Sequence, residues 1–133
     1  MHPPTPSGLA RATVLVVEDE ILIRKLTAEA FTDAGFCTLE AGDAQSAIRQ
    51  LEAHPDVAFV VSDINMPGEL SGIDLCRVVH ARFRQVKLAL TSGKPPADRS
   101  GIPAGTVFLQ KPYSPEALVE HVRAELVAEL LRH

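Results

Sequence analysis

The chain has little of what would mark it for nucleic acid, zinc, export or a membrane. Thirteen Lys and Arg stand against seventeen Asp and Glu, a net charge of −4. No basic run and no basic patch with interleaved aromatics occurs, so no nucleic-acid partner is expected. The two cysteines, Cys37 and Cys76, lie inside apolar segments without CxxC spacing. Both read as buried small hydrophobes in a reducing compartment. The five histidines are scattered at positions 2, 54, 80, 121 and 133, with no metal-ligand spacing. No apolar stretch approaches the roughly 18 residues of a membrane span. The start, MHPPTPSGLA, has neither a basic leader nor an apolar signal core. No membrane partner is expected, and the expected location is cytoplasmic.

What is present is enough for one domain: 133 residues, 46% of them hydrophobic and 23% charged. Residues 1–11 hold three prolines and no apolar period, so a disordered tail is expected there and a single domain over 12–133. Thr13 to Val17 (TVLVV) is apolar on both faces, as a buried parallel strand is. Further strands are expected over 36–40, Val57 to Ser62, 86–90 and 106–110. Between them run helical patterns. Leu22, Ile23, Leu26, Ala30 and Phe31 form the first apolar face, with Gly35 past its end. Asp43 caps a second helix that buries Ala44, Ala47, Ile48 and Leu51 and stops at His54-Pro55. Ser71 and Asp74 form a capping-box pattern opening a third helix through Ile73, Cys76, Val79 and Phe83. Ser114, Pro115 and Glu116 open a last helix running to about Leu131. Its apolar positions are Leu118, Val122, Leu126 and Leu130, with Val119, Val127 and Leu131 beside them.

The segment between the fourth and fifth strands departs from this rhythm. Pro95, Pro96, Pro103, Gly93, Gly101 and Gly105 leave it no apolar stripe, and proline in a helix interior costs about 3 kcal/mol. A short or absent fourth helix and raised mobility across 93–104 are expected. The last helix, with Val119, Val127 and Leu131 available, then becomes the expected contact surface.

Strands alternating with helices imply a doubly wound α/β fold with a five-stranded parallel sheet. Ligands of such sheets bind outside the carboxyl ends of the strands. The first strand delivers Glu18 and Asp19 there, the third Asp63, the fourth Thr91 (with Ser92 beside it), and the fifth Lys111. Three carboxylates converging on one edge repel each other, and a hard divalent cation relieves that repulsion. Oxygen donors without Cys or His point to Mg²⁺ rather than zinc. A lysine and a hydroxyl beside such an ion make a place for phosphate, and Asp63 is then a carboxylate offered to a phosphoryl group.

LVVEDE, SDINMPG, LTSG and FLQKPYSPEAL, in this order at these strand ends, resemble the receiver domain of two-component response regulators over residues 12–131. The resemblance implies a flavodoxin-like sheet in the order 2-1-3-4-5 and Asp63 as phosphoacceptor from a histidine kinase or phosphotransfer protein. It implies direct Mg²⁺ ligation by Asp19, Asp63 and the backbone carbonyl of Asn65, with Glu18 acting through water. Lys111 would pair with the phosphoryl oxygens, Thr91 would turn its hydroxyl toward them, and Phe108 would follow as the switch aromatic. Lys111-Pro112 would be a cis bond. Four departures stand out: Glu18 in place of the commoner Asp, a loop from Asp63 to Gly72 one residue longer than usual, Phe108 where Tyr is also common so that the switch lacks a hydroxyl, and the degenerate fourth helix. The last features are similar to receivers attached to hybrid histidine kinases.

Each residue alone has a plainer reading. Asp19 also suits a helix cap, Asp63 a turn and Lys111 a solvated strand end; their joint placement favours a site. Phe108 also suits a core. The apolar excess of the last helix suits core, a homodimer face or a partner face. Three functions compete. The first is a stand-alone phosphorylatable receiver acting on an unknown downstream protein, with a receiver excised from a hybrid kinase as its variant. The second is a pseudo-receiver binding module without phosphate. The third is a metal-dependent phosphohydrolase, disfavoured because Asn65 stands where that class usually has a second acid. The first is expected, with no enzymatic turnover beyond self-phosphorylation and self-dephosphorylation.

Overall fold

The computed structural model describes residues 12–93 and 102–132. Nine elements follow in order: β1 (Thr13–Val17), α1 (Ile21–Asp33), β2 (Cys37–Ala41), α2 (Ala44–Ala53), β3 (Val57–Asp63), α3 (Gly72–Arg82), β4 (Lys87–Ser92), β5 (Val107–Gln110) and α4 (Pro115–Leu131). The strands pair in parallel in the order β2-β1-β3-β4-β5. This is the expected doubly wound order. The anticipated tail over 1–11 and residues 94–101 of the anticipated degenerate helix lie outside the described residues. Among the described residues no helix lies between β4 and β5.

Alternation along the strands divides the interior into two cores. Val14 and Val16 face one side with Phe59, Val61, Ala89 and Leu109, under α1 and α4. Leu15 and Val17 face the other with Val60, Leu88 and Leu90, under α2 and α3. Helix ends follow their local chemistry. The Asp43 carboxylate accepts from the Ser46 N–H at 2.7 Å, and Ser71 and Asp74 form a reciprocal capping box. The Ser114 side chain accepts from the Ala117 N–H, with Pro115 in the first turn. Gly35 takes φ +100° just past α1, a conformation that suits glycine.

Several expectations are corrected. The apolar stripe of α1 is wider than its buried face: Thr27, Ala28 and Phe31 are buried, while Leu22 is 72% and Leu26 51% exposed. Phe31 anchors the helix, fully buried and edge-on to Phe36 at 5.6 Å. At 3.6 residues per turn, Leu22 then lies opposite Phe31 and Leu26 about 140° away. Cys37 is exposed, because it opens the edge strand β2; Cys76 is buried as expected. Val119 is 4% exposed and belongs to the core, so it offers no contact surface. Val127 packs against that same core, and Leu130 and Leu131 are exposed at the end of α4. Leu75 is a fully buried core residue of α3 that the expected face omitted. β2 starts one residue later than expected, and β4 runs on through Ser92.

Candidate functional site

The carboxyl ends of β1, β3, β4 and β5 meet at one edge of the sheet, and the connections there are fastened by backbone hydrogen bonds. The Glu18 N–H donates to the Ala41 carbonyl at 3.0 Å, and the Ile64 N–H donates to the Thr91 carbonyl at 3.0 Å. The Lys111 N–H donates to the Ser92 carbonyl at 2.7 Å. The backbone at Glu18, Ile64 and Lys111 is thereby tied to a neighbouring strand end. Arg24, which carried no sequence signal, braces the same edge. It donates from Nη1 to the Glu18 carbonyl at 3.0 Å and from Nε to Glu40 at 3.1 Å.

Glu18, Asp19 and Asp63 are brought together, with one oxygen of each lying within 4.8 Å of the others. Glu18 is 4% and Asp63 8% exposed, while Asp19 sits at the open side. Burial pushes the Glu18 carboxyl above its ordinary value, and the negative charge of Asp63 adds to it against the pull of Lys111. Lys111 reaches across from β5. Its Nζ lies 3.1 Å from Asp63 Oδ2 and 3.3 Å from Glu18 Oε1. Burial works against the ammonium, but its hydrogen bond to Asp63 and the Asp63 and Glu18 charges outweigh that and hold its pKa above the usual range. One ammonium thus contacts two buried carboxylates and cannot offset the charge of three clustered acids. A set of carboxylate oxygens this close, with no Cys or His among it, fits a hard divalent ion.

The Asp63–Gly72 loop is shaped by close backbone contact. The Asn65 N–H reaches Asp63 Oδ1 at 3.4 Å, and the Ser62 hydroxyl donates to the Asp63 carbonyl at 2.9 Å. The Gly72 N–H donates to the Ile64 carbonyl at 2.8 Å. A methyl group added at Gly72 would overlap the Asp63 carbonyl oxygen at 2.2 Å and the Ile64 Cα at 2.8 Å. Only glycine admits this approach.

Thr91, the last residue but one of β4, is in register with Asp63 and is 2% exposed. Phe108 is half-buried against the core under α2 and α3. The Lys111-Pro112 bond is cis, as the resemblance implied. Sequence reasoning missed Tyr113, which packs against the core under α1 and α4. Burial raises its phenol above the usual range, with the Thr91 hydroxyl, the Lys111 charge and the Thr27 hydroxyl among the groups around it. No periodicity marks a residue just past a cis proline. Beside it lies a groove of about 440 Å³ lined by Ile23, Leu26, Thr27, Lys111, Pro112, Tyr113 and Pro115.

Known proteins are similar to this chain in sequence and in fold. The chain is 33% identical over 119 residues to the DNA-binding response regulator MtrA of Mycolicibacterium paratuberculosis, covering 87% of this chain and 52% of MtrA. It therefore spans about half the length of that relative. It is 29% identical over 119 residues to the chemotaxis protein CheY1 of Helicobacter pylori, covering 85% of this chain and 95% of CheY1. The receiver domain of the hybrid histidine kinase CckA superposes with a TM-score of 0.75 at 28% identity, covering 86% of this chain and 99% of that one. The family model described as the response regulator receiver domain matches residues 14–123. With the five-stranded 2-1-3-4-5 sheet gathering its acids and a lysine at one edge, the chain belongs to the response regulator receiver family.

Proposed function

We propose that Asp63 accepts a phosphoryl group from the phosphohistidine of a histidine kinase or phosphotransfer protein, and that the receiver then signals by contact with a partner protein. The observation that carries this reading is the Lys111 ammonium fixed 3.1 Å from Asp63 and 3.3 Å from Glu18. It places positive charge where a carboxylate must meet a phosphoryl dianion. In the transfer an Asp63 carboxylate oxygen forms the bond to phosphorus as the phosphorus–nitrogen bond to the donor imidazole breaks, and the imidazole keeps the electron pair. Lys111 then pairs with the phosphoryl oxygens, and the Thr91 hydroxyl donates to one of them. Asp19, Asp63 and the Asn65 carbonyl would hold Mg²⁺, with Glu18 acting through water. When bound, Mg²⁺ supplies positive charge against the clustered carboxylates and the transferring group. The chemistry expected is self-phosphorylation and self-dephosphorylation in the cytoplasm, where a histidine kinase presents its phosphohistidine, without turnover of a separate substrate.

The test is transfer from a phosphorylated histidine kinase or phosphotransfer protein bearing labelled phosphate. Label should move to this chain in Mg²⁺ and stay on the donor in chelator. Transfer that proceeds equally in chelator, or turnover of a small phosphomonoester at a rate matching it, would overturn the reading.

A further inference from the structure

Asp19 is the acid of the site that packing holds least. Glu18 and Asp63 are buried, while Asp19 is exposed at the open side of the edge. Its place therefore depends on the backbone that carries it, and Arg24 grips that backbone before and after Asp19. The Arg24 N–H donates to the Glu20 carbonyl at 2.9 Å, the hydrogen bond that opens α1. Its guanidinium reaches back and donates from Nη1 to the Glu18 carbonyl at 3.0 Å. That carbonyl belongs to the planar peptide joining Glu18 to Asp19, so holding it sets the direction in which the chain enters Asp19. Glu40, on β2, anchors the guanidinium in turn by accepting from Nε at 3.1 Å.

We propose that Arg24 is a positioning residue for the metal: its bridge from Glu40 to the Glu18 carbonyl presets Asp19 and so sets the affinity of the acidic edge for Mg²⁺. The inference rests on the Mg²⁺ reading above. The sign of the effect separates this role from simple electrostatics. A positive charge beside the site repels Mg²⁺, so by Coulomb's law alone the loss of Arg24 would tighten binding. Positioning gives the opposite result, because groups that orient metal ligands carry about 10–100-fold in affinity. Shape matters as well as charge. The planar guanidinium meets two acceptors in fixed directions, whereas a lysine ammonium is a point charge on a flexible stem. Arg24→Lys therefore keeps the charge and loses the bridge. Lys25 supplies the control. Its ammonium lies 3.1 Å from the same Glu40 carboxylate and its side chain is 61% exposed, against 18% for Arg24. It is Arg24, not Lys25, that holds the Glu18 carbonyl.

The experiment titrates the full unphosphorylated chain with Mg²⁺ by isothermal calorimetry, then follows adduct formation from acetyl phosphate across Mg²⁺ concentrations. Urea unfolding in chelator establishes that each variant is folded, and Arg24→Lys, the milder change, decides if Arg24→Gln is not. Both Arg24 variants are expected to bind Mg²⁺ about ten-fold more weakly or worse. The half-saturating Mg²⁺ for adduct formation should rise by the same factor, with the rate at saturating Mg²⁺ within about twofold of the parent. Lys25→Gln is expected to bind Mg²⁺ as the parent does. Unchanged or tighter Mg²⁺ binding in Arg24→Lys would overturn this inference alone, as would an equal loss in Lys25→Gln. A parent chain that binds no Mg²⁺ would overturn the metal reading and this inference with it.

Discussion

Replacing Gly72 with alanine should damage the site without touching a charged group. The added methyl would sit 2.2 Å from the Asp63 carbonyl oxygen and under 3 Å from two further backbone atoms of Asp63 and Ile64. These atoms belong to the end of β3 and cannot swing aside like a flexible side chain. Overpacking of this kind costs about 1–3 kcal/mol. Weakening the 2.8 Å bond from the Gly72 N–H to the Ile64 carbonyl adds about 0.5–1.5 kcal/mol. The lower unfolded-chain entropy of alanine offsets about 0.4–1 kcal/mol. The net expectation is a loss of about 2–3 kcal/mol, equivalent to a Tm lower by about 6–15 °C for a domain of this size. Urea and thermal unfolding measure it, with adduct formation from acetyl phosphate as the functional readout. Gly35→Ala is the comparison. It meets nothing within 4 Å but has φ +100°, so it should cost about 1–2 kcal/mol and leave adduct formation intact. A Gly72→Ala variant within about 0.5 kcal/mol of the parent would mean that the close approach is soft and that Gly72 is not required there.

Three other outcomes are expected. In chelator, Glu18 contributes a pH dependence of definite sign. Its folded pKa lies above 4.5, so its contribution to stability is complete below that value and is lost as pH rises through the raised one. Glu18→Gln should therefore gain stability relative to the parent as pH increases from 4.5 to neutrality, read by urea midpoints. Lys111→Ala should still bind Mg²⁺, read by titration, but lose the conformational response to phosphorylation in partner-binding assays; a normal response would remove Lys111 from the site. Cys37 should alkylate readily in the native protein and Cys76 should not, because burial pushes the Cys76 thiol up to about 12. At that pKa about one part in ten thousand is thiolate at pH 8, and peptide mapping distinguishes the two.

The sheet and the acidic edge were legible in the sequence for a common reason. Parallel strands covered on both faces read as unbroken apolar runs, and the polar residue ending each run marks the ligand-binding edge. Glu18, Asp63, Thr91 and Lys111 could be placed on that edge before any distance was known. The helix faces were less legible. Leu22 and Leu26 carry the same apolar signal as Phe31, and only the packing of Phe31 on Phe36 decides which side turns inward. Cys37 looked buried because its neighbours are apolar, and edge position is a property of the assembled sheet. The close approach at Gly72 arises from a fold-back of eight residues onto Ile64, so it resembled any other turn glycine. Tyr113 was hidden because a loop residue past a cis proline has no periodicity to betray its partners.

Mapping the acetyl-phosphate adduct by tandem mass spectrometry decides whether Asp63 is the one phosphoacceptor. A single adducted residue is expected, Asp63, with the adduct formed in Mg²⁺, absent in chelator and absent in Asp63→Ala. An adduct of equal yield on any other residue, or one that persists in Asp63→Ala, would contradict it.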